Sequence, residues 1–142
     1  MSRRLAWVLA LLAIPPLVLG LRWFSFLPSV MDWDESLYLL QAREWARGVW
    51  PLSGVWDMHP VGAPAMILIA FTLLGESITT VRLLGAICVM ATCYALIALV
   101  RAAGGPRSLG LGAALLYAGH SVVLGGLTTN TEILFAPMVV GA

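Results

Sequence analysis

The sequence predicts an all-α, polytopic membrane protein, with about three full transmembrane helices and interfacial helices in its first outer loop. Three observations carry this: an apolar composition, long apolar stretches, and arginines confined to particular places. Of 142 residues, 61% are hydrophobic and only 11% charged. A soluble domain carries about a quarter charged residues. A chain so poor in charge cannot cover its own surface, so lipid must solvate much of it. The net charge of +1 gives no electrostatic footprint for nucleic acid. All eight basic residues are arginine, and their placement says more than their sum.

The first span is residues 5–26. Leu5–Leu21 follows Arg3 and Arg4, and Trp23, Phe24 and Phe26 extend it into an interfacial aromatic cluster. About 20 apolar residues cross a 30 Å hydrocarbon core. Pro15-Pro16 should kink this helix, which membrane helices tolerate. A cleaved signal peptide opens the same way, but no small-x-small cleavage site follows and further spans come later.

Residues 25–78 form the expected outer loop, residues 79–100 the second span and residues 109–127 the third. Inside the second span, Cys88 and Cys93 would point about 140° apart on a helix. They read as packing residues, not as a disulfide or metal pair. Residues 133–142 begin another helix that stops after ten residues. The chain therefore reads as the N-terminal part of a single, longer transmembrane domain.

Val61–Gly75, at 15 residues, falls short of the usual span. Loop charge arbitrates its topology. Arg101 and Arg107 flank a short loop without acids, and such loops stay in the cytoplasm, as should the Arg3-Arg4 end. If Val61–Gly75 crossed the membrane, that loop would land outside. Laid at the surface as a half-buried helix, it keeps the loop inside and places Asp34, Glu35, Asp57, His59 and Glu132 together on the outer face. The expected location is thus the plasma (inner) membrane, multi-pass, with a cytoplasmic N-terminus.

Within the outer loop, Asp32-Trp33-Asp34-Glu35 puts three carboxylates in four residues. Asp34 is a candidate N-cap for an interfacial helix over residues 34–47, closed by Gly48. Capping and dipole complementation would explain these acids without any chemistry. A second polar cluster, Asp57-Met58-His59-Pro60-Val61-Gly62-Ala63-Pro64, predicts a rigid turn at the start of the helix over residues 61–75. Arg82 lies near the end of its span, where a charge is costly unless paired or functional. Glu132 sits just past the third span.

In this order the residues resemble the N-terminal portion of a GT-C fold glycosyltransferase that uses a polyprenyl-phosphate sugar. The likeness is to the branch of protein O-mannosyltransferases and aminoarabinose transferases. It rests on Asp34-Glu35-Ser36-Leu37-Tyr38, on Gly48-Val49-Trp50-Pro51 and on the turn His59-Pro60, where Val61 replaces a second proline. Leu74-Gly75-Glu76-Ser77, Val81-Arg82-Leu83 and Thr129-Asn130-Thr131-Glu132 complete it. The resemblance implies an inverting transfer on the outer face, from a polyprenyl-phosphate-linked sugar to a hydroxyl of a glycan, lipid or protein acceptor. By the same resemblance Asp34 is the general base and Glu35 positions either Asp34 or the acceptor. Tyr38, Asp57, His59, Arg82 and Glu132 bind substrate, with His59 and Arg82 donating to the departing phosphate. Relatives differ in metal use, so no cofactor is assigned, and Glu132 could help hold a divalent cation. The resemblance also implies that residues 1–142 alone are inactive, because the family's site draws on later helices.

Two other classes fit the composition. A transporter or flippase fragment would carry charges and Gly/Pro breaks at mid-membrane, whereas the charges here gather at one face. A non-catalytic membrane subunit would need neither the acidic pair nor the proline turn.

Overall fold

The computed structural model describes residues 2–27, 32–123 and 127–142. Its regular elements are all helical: α1 (Arg3–Leu12), α2 (Ile14–Leu21), a 3₁₀ turn (Trp23–Phe26), α3 (Trp33–Ala46), α4 (Gly62–Leu74), α5 (Ile78–Ala102), α6 (Arg107–His120) and α7 (Thr131–Gly141). Two segments are long and apolar enough to cross a membrane, Arg4–Leu21 and Ile78–Ala102. The helical, membrane-type architecture agrees with the sequence. Three full spans do not emerge.

The expected first helix is interrupted at Ala13, which closes α1 and opens α2 with Pro15 and Pro16 in the first turn. Those positions need no N–H partner inside the helix, so the proline pair restarts the helix instead of destroying it. Ala13, Leu17 and Arg22 still donate backward to Leu9, Ala13 and Val18, which keeps the chain running as one rod.

α5 is the central element. Ser77 caps its N-terminus by accepting from Thr80 N at 3.0 Å, and Gly104, at φ +76°, turns the chain back toward α6. The two helices approach closely because Gly110 faces Ile97. A Cβ on Gly110 would lie 3.2 Å from the Ile97 Cα, the small-residue contact that lets membrane helices pack. Val81, Ala86, Val89, Cys93 and Ile97 on α5 are buried against Ile14, Val18, Ile67, Ala114 and Leu134 of neighbouring helices. Both cysteines are buried and unbridged.

α6 ends at His120, short of the expected Leu127. Its C-terminal carbonyl group at Ser121 accepts from the Arg22 guanidinium at 3.0 Å, and a cation there also complements the helix dipole. At 14 residues, α6 reaches only about 21 Å. α4, with 13 residues, reaches about 20 Å. It leaves the His59-Pro60 turn, packs Gly62 against Phe135 of α7, and ends at Gly75, whose carbonyl accepts from Thr80 of α5 at 2.8 Å. Its first residue therefore lies against α7 and its C-terminal end against the start of α5.

α2, α6 and the start of α5 meet at one end of the bundle, through Arg22, Ser121 and Gly85. The other end holds Trp7 of α1 under the Arg107 guanidinium of α6, 5.5 Å from the ring centre. Arg101, the start of α1 and the start of α6 gather there. The first end is rimmed by exposed Trp23, Phe24, Trp33 and Trp56, side chains that favour a membrane–water interface.

Candidate active site

The end rimmed by tryptophan carries the acidic cluster, arranged in a buried layer and a surface layer. α3 links them. Asp32, not Asp34, is its N-cap residue, and its carbonyl accepts from Ser36 Oγ at 2.8 Å. Asp34 and Glu35 thus fall in the first turn, where negative charge is favourable. Helical spacing then sends Glu35, Tyr38, Leu39 and Ala42 into the protein, while Asp34 stays half-buried at the surface.

The buried layer is built on Glu35 and Arg82, both fully shielded from solvent and joined by an ion pair. Glu35 Oε1 also accepts from Thr129 N at 2.9 Å. Arg22, equally buried, donates to the carbonyls of Ser121 (3.0 Å), Leu127 (3.1 Å) and Thr128 (3.4 Å). Two guanidinium groups and one carboxylate thereby clamp α2, α3, α5 and residues 127–129 into one unit. Gly85 makes room for this clamp. A Cβ there would lie 2.6 Å from Thr129 Oγ1 and 3.4 Å from Arg22 Nη2.

Above this lies the rim. Tyr38 Oη shares a 2.8 Å hydrogen bond with Thr131 Oγ1 at the start of α7. The Tyr38 ring also meets His59 edge-on, 5.8 Å between centroids. His59 is held by Asp57, whose Oδ1 contacts the ring Nδ1 at 2.8 Å and accepts from the backbone N–H at 3.2 Å. Asp57 is buried and His59 partly open. Glu132 is exposed in the first turn of α7, next to a cavity of about 370 Å³ lined by Tyr117, His120, Asn130 and Glu132 among others.

The electrostatics show that these groups share one field. Burial raises the Tyr38 phenol above its ordinary 10; Thr131 opposes this, and the charges of Asp34, Asp57 and Glu132 add to it. The hydrogen bond to Asp57 holds the His59 imidazole above its ordinary 6.5, with Asp57, Asp34 and Glu132 reinforcing the cation. Burial pushes the Asp57 carboxyl up, but the His59 hydrogen bonds outweigh it and leave the group below its ordinary value.

All seven residues singled out in the sequence lie at this end, but not in one layer. Asp34, Tyr38, Asp57, His59 and Glu132 form the rim. Glu35 and Arg82 lie beneath it and pair with each other. Sequence reasoning passed over Arg22, and took Thr129 and Thr131 only as neighbours of Glu132 in a motif. A lone arginine closing an otherwise apolar stretch was the available signal for Arg22. The bonds that the two threonines make to Glu35 and Tyr38 appear only in the fold. Among the described residues, no group of three or more His, Cys, Asp or Glu is gathered to hold a metal.

Among the described residues, then, an all-helical apolar bundle carries a carboxylate rim at one end. The family model described as dolichyl-phosphate-mannose-protein mannosyltransferase matches residues 58–142, well over half of the chain. The chain belongs to that family, and so to the membrane glycosyltransferases of GT-C type. No curated protein and no solved structure matches it. The matched residues include His59, Arg82 and Glu132. Asp34, Glu35, Tyr38 and Asp57 precede them, so geometry alone links those four to the family region.

Proposed function

We propose that this end of the bundle is part of a sugar-transfer site. There a polyprenyl-phosphate-linked sugar is the donor, a hydroxyl of a protein, glycan or lipid is the acceptor, and Asp34 is the general base. The observation that carries this reading is the division of labour within the acidic pair. Glu35 is spent inside the protein on Arg82 and Thr129, which anchors the first turn of α3 and leaves its neighbour Asp34 at the surface.

A lipid phosphate is a good leaving group, so the chain's main tasks are to accept the acceptor's proton and to stabilise the phosphate. Asp34, as a carboxylate, takes the proton as the hydroxyl oxygen attacks the anomeric carbon from the face opposite the phosphate. The C–O bond to phosphate breaks, and the configuration inverts. His59, protonated, donates to the phosphate oxygen that departs. Glu132 lines the rim on the side of the acceptor or the sugar. Arg82 and Glu35 act indirectly, by holding α3 and residues 127–129 in register.

The aromatic rim and the opposite arginine-rich end support an outward-facing site and a cytoplasmic N-terminus. The decisive experiment is Asp34→Asn. Transfer from a polyprenyl-phosphate sugar in membranes carrying the full-length protein should fall roughly 10²–10⁴-fold, with insertion unchanged. Wild-type rates in this variant would remove Asp34 from the chemistry.

A further inference from the structure

We propose that Asp57 is a positioning residue for His59, fixing which ring nitrogen carries the proton and leaving the other for a departing phosphate. Its role in transfer rests on the site reading above. The Asp57–His59 unit itself rests on geometry alone.

Asp57 is buried, at 8% exposure, whereas His59 is partly open. A substrate at the rim therefore meets the imidazole and not the carboxylate. One oxygen of Asp57 does two jobs. It contacts Nδ1 at 2.8 Å and accepts from the backbone N–H of His59 at 3.2 Å, so ring and backbone are pinned to the same atom. Pro60 follows directly and stiffens the backbone at the turn. Tyr38 closes one side of the ring edge-on, and Tyr38 is itself held by Thr131. An ionised carboxylate can only accept, so Nδ1 must carry a proton. Nε2 is then the nitrogen left for a ligand, bearing a second proton when the ring is cationic.

Among the described residues, Asp57 on its own turn and the Tyr38 ring on α3 contact this imidazole, and the charges that act on it most are Asp57, Asp34 on α3 and Glu132 on α7. All three of these charges are carboxylates. This set favours the imidazolium, which suits an oxyanion as the ligand: the phosphate of a lipid monophosphate, or of the diester from which it departs. The sign follows. Asp57 raises the His59 midpoint, so the pair's contribution is complete below pH 6.5 and is lost as pH rises through the folded midpoint. On the acid side it is complete above about 3.8, the ordinary Asp57 value, and is lost as pH falls through the depressed one.

The chain has two histidines, so nitrogen-15 NMR of histidine-labelled protein in micelles resolves His59 with His120 as an internal reference. Above its midpoint, wild-type His59 should carry its proton on Nδ1. Asp57→Asn should lower the His59 midpoint toward 6.5 and leave His120 unmoved. A wild-type His59 protonated on Nε2, or a midpoint indifferent to Asp57→Asn, would overturn the proposal, and the first of these needs no variant to fold. Farnesyl monophosphate serves as the ligand probe. It should shift Nε2 of His59, and no shift would refute the phosphate-donor role.

In sugar transfer, Asp57→Asn should move the alkaline limb of the rate–pH profile to lower pH, and Asp57→Glu should partly restore it. An unmoved limb would refute the catalytic half of the proposal. A His59 that behaves as described, in a full-length protein that transfers no sugar, would sink the transfer reading and leave the Asp57–His59 unit intact.

Discussion

Glu35 and Arg82 pose the sharpest energetic question at the scale of single residues. Removing two charges from water costs several kcal/mol per ion, and only a close, hydrogen-bonded partner offsets it. Here Thr129 N adds a donor to the carboxylate and the Leu127 carbonyl lies 3.5 Å from Arg82 Nη1. Glu35→Gln removes the carboxylate paired with the buried Arg82 guanidinium and should destabilise the protein by about 3–5 kcal/mol. Arg82→Met should do comparable damage by stranding Glu35. The double variant Glu35→Leu, Arg82→Met should cost less than either single change, because it leaves no orphaned charge from the pair. Thermal unfolding in micelles, followed by tryptophan fluorescence, checks this. A double variant as unstable as the sum of the singles would mean that the pair is not a unit. The pairing was not legible in the sequence. Glu35 reads there as half of an acidic motif, Arg82 as a costly charge in a span, and 47 positions separate them. Only the fold turns the two puzzles into one answer.

Among the elements, α5 was the most legible. Expected over residues 79–100 and observed at Ile78–Ala102, it has an unbroken apolar run, Ser77 as a cap and Gly104 as a stop. α3 was read one residue late, because Asp32 and Asp34 are equally good caps by type and only the backbone chooses. α6 was overextended: its apolar run continues to Leu127, and the arginine that closes it at Ser121 sits 99 positions away on another helix. Propensity and hydropathy are local, and this stop is not.

The same long-range packing makes glycines behave in opposite ways. Gly85→Ala drives a Cβ to 2.6 Å from Thr129 Oγ1 and should cost about 1–3 kcal/mol. Gly112→Ala meets nothing within 4 Å and should gain about 0.5–1 kcal/mol from helix propensity. Apparent unfolding midpoints should therefore move in opposite directions. If both rise, the clamp around Arg22 is looser than its distances imply.

For the whole molecule, the decisive issue is which surfaces share a side of the membrane. Glu35 binds Thr129, Tyr38 binds Thr131 and Arg22 binds Ser121. Residues 34–38 and the start of α7 are therefore at one end of the bundle, with Trp7 and Arg107 at the other. A short α4, of 13 residues, fits the same plan, since a crossing α4 would move Glu132 to the opposite side from Asp34. Single cysteines test this against a quiet background, because Cys88 and Cys93 are buried. Ser53→Cys and Glu132→Cys are at exposed positions near the site end, and Ala103→Cys at an exposed position in the α5–α6 turn. A membrane-impermeant maleimide added outside should label residues 53 and 132 and spare 103 until the membrane is opened. Labelling at 103 with protection at 132 would mean that α4 crosses the bilayer and that the carboxylate rim cannot assemble. The converse pattern places Asp34, His59 and Glu132 where a lipid-linked donor and an outer acceptor can meet.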